Sequence, residues 1–110
     1  MTTHFFDPAD RVRKQLLPGV AIRTFWGEKM LLSLVDLDAH AIIPPHSHPH
    51  EQVGMVLAGD FVMTIGGETR HVHTGAIYVV PGGVAHTLTV GDTATQAIET
   101  FFPVREEYKT

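Results

Sequence analysis

The chain has no cysteine among its 110 residues, so disulfides, thiolate metal ligands and thiol nucleophiles are all excluded. Any bound metal ion is therefore limited to nitrogen and oxygen donors. Long hydrophobic runs are missing too. The longest, residues 30–35, is ended by Asp36 and falls far short of the roughly 18 apolar residues that a membrane-spanning helix needs. The sequence therefore predicts no contact with a membrane.

A strong charge of one sign is also absent. The formal net charge is −4, and the longest basic cluster is confined to residues 11–14, so the chain carries no electrostatic footprint for nucleic acid. The first eight residues lack the basic start and apolar run of a secretory signal peptide. We therefore expect a cytoplasmic protein with no nucleic-acid partner.

The length and the turn residues favour one all-β domain over residues 1–110. Residues 7–17 offer an N-cap aspartate, a proline at the first helical position and good helix formers before Pro18 and Gly19, which predicts a short helix or helical turn. Short β-rich runs separated by glycine-containing turns follow, which is typical of a closed sandwich or barrel. These runs are residues 20–26, 30–38, 41–43, 52–57, 61–65, 69–73, 76–80, 85–90 and 94–102.

The pattern richest in chemistry is the pair His46 and His48, followed by Gln52 and, much later, by His86. Residues two apart on a strand share a face, so His46, His48 and Gln52 can point inward together if the strand is regular. Three imidazoles and an amide oxygen can then converge on one metal ion. Glu51 is the rival fourth ligand, because a carboxylate binds cations more strongly, but its parity points it to the opposite face.

Chance proximity among eight histidines is the alternative to a metal site. We favour the metal interpretation because these histidines lie beside Pro44, Pro45 and the turn of residues 81–83, which we expect to fix where strands begin. His71 and His73 share one face of a short run, where a solvated outer surface is favoured over a second metal site. We expect His50 to face solvent or the rim of the pocket.

The chain resembles the cupins, a family of small β-barrels of the jelly-roll type. The first cupin motif is matched by His46, His48, Gln52 and Gly59 at the family spacings. The second is matched by a further set: Gly75, Pro81, Gly83 and His86. The departures are His40 and Val90, where the family often has Gly and Asn, and Gln52, where it usually has Glu. The amide leaves the site one unit more positive than a carboxylate would, which favours an acidic substrate.

The tail sharpens this resemblance. Residues 99–108 are similar to the ending of single-domain KdgF-type cupins, which convert 4,5-unsaturated uronates from pectin or alginate into linear keto acids. The resemblance assigns Glu99, Phe101 and Arg105 to the substrate pocket, and extended-strand parity places them with Pro103 on one side. The structural alternative is that Phe101 is a core aromatic and Arg105 a surface cation. The last five residues are polar and are expected to end on the surface.

The resemblance implies an isomerase-like metalloenzyme that opens the uronate ring and ketonises it. A divalent nickel, zinc, iron, manganese or copper ion would be held by His46, His48, Gln52 and His86 and act as a Lewis acid. Glu99 would transfer the proton, Arg105 would bind the substrate carboxylate, and a homodimer is expected. The alternatives are a cupin dioxygenase, a non-catalytic module that binds a sugar acid or a metal, and an inert dimerisation barrel.

Overall fold

Two antiparallel sheets form the protein, as a computed structural model shows for residues 3–109, and Met1, Thr2 and Thr110 lie outside the described part. One sheet has the strand order β1-β2-β3-β10-β5-β8 and the other β4-β9-β6-β7. The all-β prediction is confirmed. The strands are β1 Lys14–Leu17, β2 Val20–Trp26, β3 Leu31–Leu37, β4 Ile42–His46, β5 Glu51–Ala58, β6 Asp60–Ile65, β7 Glu68–His73, β8 Ile77–Val80, β9 His86–Val90 and β10 Thr95–Phe102.

The nine predicted runs are all strands, with ends shifted by a few residues. Of the predicted short helix or helical turn over residues 7–17, the helical turn is confirmed and a longer helix does not form. A 3₁₀ helix spans only Pro8–Asp10, where the Asp7 side chain accepts a hydrogen bond from the Ala9 N–H at 2.9 Å. Lys14–Leu17 is instead a strand paired with β2. The reason is the turn between them, in which Gly19 adopts a φ of 75° and folds the two segments into a hairpin.

The core lies between the sheets and follows the alternation of the strands. In β3, for example, Leu31, Ser33, Val35 and Leu37 are buried while the residues between them are partly exposed. The opposite sheet contributes Phe61, at 1% exposure. Within residues 3–109 no helix is long and apolar enough to cross a membrane.

Two irregular segments shape the end of the barrel where the histidines lie. Pro44 and Pro45 lie inside β4, at a register shift between Ile43 and His46, rather than before the strand as predicted. Because β4 is an edge strand, it tolerates residues that lack an N–H donor. In the turn after β8, the Gly83 N–H donates to the His48 carbonyl at 2.8 Å. The turn therefore holds the loop that carries His48.

Candidate metal centre and substrate cavity

Three histidine side chains converge at this end of the barrel. His46 ends β4 and His86 begins β9, where the two are direct cross-strand partners with ring centroids 4.2 Å apart. His48 comes from the loop between β4 and β5, with its ring centroid 4.9 Å from that of His86. One ligand-capable nitrogen from each residue lies within 4.8 Å of the other two. The predicted histidine cluster is thus present in space.

Hydrogen bonds to backbone carbonyls orient all three rings and fix the tautomer of two of them, His46 and His86. The Nδ1 atoms of His46, His48 and His86 lie 2.9–3.0 Å from backbone carbonyl oxygens two residues away. A carbonyl can only accept, so Nδ1 of His46 and of His86 carries the hydrogen and leaves a lone pair on Nε2, whereas His48 has an acceptor oxygen beside each of its ring nitrogens. This is the arrangement that orients metal-ligating histidines. The acceptors are the carbonyls of Pro44, His50 and Val84.

Burial keeps two of these rings neutral. Desolvation lowers the pKa of His48, with the nearby Arg105 charge acting in the same direction. Desolvation also lowers the pKa of His86, against a backbone hydrogen bond to Val84 that raises it. The His86 Nε2 atom is buried, and no group among residues 3–109 makes a hydrogen bond to it. A buried neutral nitrogen with an unused lone pair is chemically a ligand.

Gln52 completes the cluster from the opposite sheet. Its Nε2 donates to Glu99 Oε2 at 2.6 Å, which turns its Oε1 toward His48 Nε2 at 3.0 Å. His48 Nε2 can donate a hydrogen bond to this oxygen, and once that proton is lost both atoms offer lone pairs that one cation can share. Glu51, the rival ligand, is exposed, whereas Gln52 is only 4% exposed. The donor set of three imidazoles and one amide oxygen therefore fits a divalent transition-metal ion.

The regular-strand assumption behind these ligands is wrong in one respect. β4 ends at His46, His48 lies in a loop, and Gln52 lies on β5 in the other sheet. The residues meet because the chain crosses between sheets, not because they share one strand. His50, which shares their parity, is partly exposed beside His48, with ring centroids 5.6 Å apart.

A row across three strands of the larger sheet positions Glu99. Gly54 is paired with Tyr78 on one side and with Glu99 on the other. Because Gly54 has no side chain, the Tyr78 ring lies across it, and its hydroxyl donates to Glu99 Oε2 at 2.7 Å. Glu99 Oε2 therefore accepts hydrogen bonds from both Tyr78 and Gln52, and Glu99 Oε1 accepts none within residues 3–109.

Desolvation raises the pKa of Glu99, while the hydrogen bonds from Tyr78 and Gln52 act in the opposite direction. Desolvation and the Glu99 charge together raise the pKa of Tyr78, so its hydroxyl stays protonated as a donor. Glu99 therefore has the raised proton affinity that a general base requires, with its geometry fixed by two donors.

Gly54→Ala should destabilise the protein by about 1–3 kcal/mol, since overpacking a filled site costs that much. A Cβ at Gly54 would lie 2.4 Å from the Tyr78 ring. Gly27→Ala is the matched control, because a Cβ there meets nothing within 4 Å, and we expect a change within about 0.5 kcal/mol. Urea unfolding measures both. Equal free energies of unfolding for the two variants would contradict the close packing of Tyr78 on Gly54.

The C-terminal tail reaches the cavity by a route that strand parity did not predict. β10 ends at Phe102, and Pro103, which follows a cis peptide bond, is exposed rather than on the cavity side. Arg105 follows this bend, and only 11% of its side chain is exposed. Its guanidinium stacks over Tyr108, 3.9 Å from the ring centroid, and over Phe101 at 5.2 Å. Arg105 is thus not a free surface cation.

Phe101 is a core aromatic and also lines the cavity. It is 1% exposed and packs in a cluster with Leu31 and Val104, and its ring edge contacts His48 with centroids 5.7 Å apart. The prediction that the last five residues lie on the surface is wrong for Tyr108, which is partly buried and lines the cavity. Thr110 lies outside the described residues.

The cavity that these residues enclose has a volume of about 360 Å³. Its polar groups include those of His46, His86, Gln52, Glu99 and Arg105. Most of the remaining wall is apolar and comes largely from the first hairpin and the smaller sheet, namely Leu16, Leu17, Val20, Ile43, Pro44, Pro45, Met63 and Leu88. A ligand that combines a charged group with apolar surface fits this lining.

The described geometry agrees with what comparison with known proteins shows. A family model described as a cupin domain matches residues 33–101. The chain belongs to the cupin family. The pectin degradation protein KdgF of Dickeya dadantii is 31% identical over 84 residues, which cover 76% of each protein.

Solved cupin structures superpose over almost the whole chain. The structure of KdgF from Halomonas sp. has a TM-score of 0.89 at 26% identity and covers 96% of this chain and 98% of its own. An RmlC-like cupin from Shewanella frigidimarina has a TM-score of 0.91 at 23% identity, with 97% and 96% coverage, and supports the fold alone. The predicted resemblance to KdgF-type cupins is confirmed.

Sequence reasoning missed Tyr78, Tyr108 and the strand β1 that carries Leu16. A signal existed for the first: Gly54 interrupts an otherwise β-rich run, and a glycine inside a strand often marks a close approach. For Tyr108 no such signal exists, because a tyrosine in a polar tail is equally suited to the surface.

Proposed function

We propose that this cupin converts 4,5-unsaturated monouronates, the kind released in pectin or alginate breakdown, into linear keto acids. The observation that carries the proposal is the meeting of the histidine cluster, Glu99 and Arg105 in one cavity. Two relatives named KdgF, one of them described as a pectin degradation protein, support the substrate class. The alternative of an inert barrel gives no reason for a carboxylate and a guanidinium in the same cavity.

His46, His48, Gln52 and His86 would hold a divalent ion. When bound, the ion supplies Lewis-acid stabilisation of negative charge that develops on substrate oxygens. Nickel, zinc, iron, manganese and copper all suit these donors. The homodimer and the cytoplasmic location stay predictions.

Glu99 would move the proton. In an unsaturated uronate the ring oxygen is attached to the C4=C5 double bond, and C1 carries a hydroxyl. Glu99 Oε1 takes the proton of that hydroxyl, the C1–O5 bond breaks to give an aldehyde, and the electron pair leaves as an enolate. Protonation at C4 then gives the 5-keto acid. The proton balance is zero, so the reaction is an isomerisation.

Arg105 would bind the substrate carboxylate. Its Nε lies 3.4 Å from Glu107, and its two terminal nitrogens make no hydrogen bond within the described residues 3–109. Stacking on Tyr108 and Phe101 holds the plane of the guanidinium, whose paired donors match the two oxygens of a carboxylate. The Arg105 guanidinium would thus hold the carboxylate end of the substrate, which lies next to the double bond.

An assay with a lyase-generated unsaturated monouronate tests the proposal. Loss of the vinyl absorbance and vinyl NMR signals should be faster with the protein than without it, and the methyl ester of the same uronate should react poorly because Arg105 has no carboxylate to bind. A decay that matches the spontaneous rate at every protein concentration would reject the proposed activity.

The apolar wall favours a second candidate, an oxygen-using cupin that acts on an apolar substrate. Leu16, Val20, Met63 and Leu88 offer no partner for sugar hydroxyls. Oxygen uptake with a flavonol or a diketone, together with no effect on uronate decay, would decide for this candidate.

A further inference from the structure

A second cluster of potential ligands lies on the outer face of the smaller sheet, away from the cavity. His71 and His73 are two apart on β7, the edge strand, and both are exposed. Their ring centroids are 4.2 Å apart. Asp60, on the neighbouring strand β6, is the direct cross-strand partner of His73. The sequence alone favoured a solvated face here, because it did not show that Asp60 lies opposite the two histidines.

The three side chains are close enough to share one ion. Asp60 Oδ2 lies 3.3 Å from His71 Nε2, and one ligand atom from each of the three residues lies within 4.8 Å of the other two. About half of the His71 side chain and 40% of Asp60 are exposed, so both an ion and water can reach them. The arrangement therefore offers three donors and open positions for solvent.

The backbone beneath the cluster is regular. β6 and β7 are paired without a register shift from Asp60 with His73 to Ile65 with Glu68. The first residue of β6 is also tied to the other sheet, because the Asp60 N–H donates to Thr95 Oγ1 at 3.1 Å. Ligands on paired strands are held in place before an ion arrives, which favours binding over an equally dense cluster on a loop.

The donor types select the ion. Two imidazole nitrogens and one carboxylate oxygen suit zinc, nickel or copper, whereas calcium and magnesium prefer oxygen donors alone. Arg70, the basic residue that precedes His71, does not interfere, because strand alternation places it on the other face and it pairs with Glu68 at 2.8 Å. We propose that Asp60, His71 and His73 form a second, surface site for a divalent transition-metal ion.

Zinc binding to the metal-free full-length protein tests this site. Equilibrium dialysis and native mass spectrometry should show one zinc ion fewer per chain in the double variant His71→Ala, His73→Ala than in the wild type. His4→Ala, which removes an exposed imidazole outside the cluster, should leave the count unchanged. Asp60→Asn should weaken this site at least about tenfold, since even partners of metal ligands contribute that much.

Histidine side-chain NMR gives a readout that does not depend on stoichiometry. Zinc should change the chemical shifts of the His71 and His73 imidazoles and leave the chemical shift of the His4 imidazole unchanged. A variant that lacks the cavity ligands, His48→Ala with His86→Ala, should keep the surface ion. The proposal is overturned if the surface double variant binds as much zinc as the wild type, or if zinc leaves both surface imidazole resonances unmoved.

Discussion

Replacing both His48 and His86 by alanine is expected to remove one divalent ion per chain and to reduce uronate conversion to the spontaneous rate. These are the two most buried histidines of the cluster, at 7% and 4% exposure. Losing even a partner of a ligand costs 10–100-fold in metal affinity, so losing two ligands should cost at least about 10²–10⁴-fold. Metal content by mass spectrometry of the dialysed protein and the vinyl-absorbance assay measure the two effects.

His50→Ala is the matched control for this variant. His50 lies beside His48 in the same loop but is not one of the three clustered histidines. It should keep the ion and most of the activity. Circular dichroism checks that the double variant retains its strands. A folded double variant that still binds the cavity ion would show that the lone pairs on Nε2 do not hold it.

Much of the fold could be predicted because the relevant forces are local. Glycine-containing turns separate most of the strands, and each predicted β-rich run became a strand. The failure at Lys14–Leu17 has a non-local cause: good helix formers there are overridden by pairing with β2 across the Gly19 turn. No pattern within four residues reports which partner strand is available.

The candidate site, like the fold, has a part that could be predicted from the sequence and a part that could not. The spacing of His46 and His48 could be interpreted from the chain, and the structure brings both together with Gln52 and His86. The contact between Tyr78 and Glu99 could not, because it depends on β8, β5 and β10 being neighbours in one sheet. The order of strands in a sheet is set by long-range pairing, which the local sequence does not encode.

The contact between Gln52 and Glu99 gives a physical reason for an amide at a position where cupins usually have a carboxylate. Its amide has two chemically different ends, and Glu99 accepts from the nitrogen, so the oxygen faces His48. A glutamate at this position would instead place two carboxylates side by side, and their repulsion would raise the pKa of one of them. The amide would therefore let Glu99 stay ionised, as its proposed role of general base requires.

Glu99→Gln is expected to cut turnover by about 10²–10⁴-fold, the usual contribution of a general base, while the ion is retained. Glutamine keeps the shape of the side chain, and its amide oxygen can still accept from Tyr78 and Gln52. Only the proton affinity is lost. Turnover at saturating uronate measures the effect, and metal analysis of the same sample measures the ion.

Glu51→Gln is the control that makes this result specific, because Glu51 precedes Gln52 on β5 but is exposed. It should change neither turnover nor metal content, which also tests Glu51 as the rival ligand. Full activity of Glu99→Gln would show that Glu99 is not the base. Loss of the ion from Glu99→Gln would instead make Glu99 a positioning residue that acts through Gln52, since the three imidazoles alone would then hold the ion too weakly.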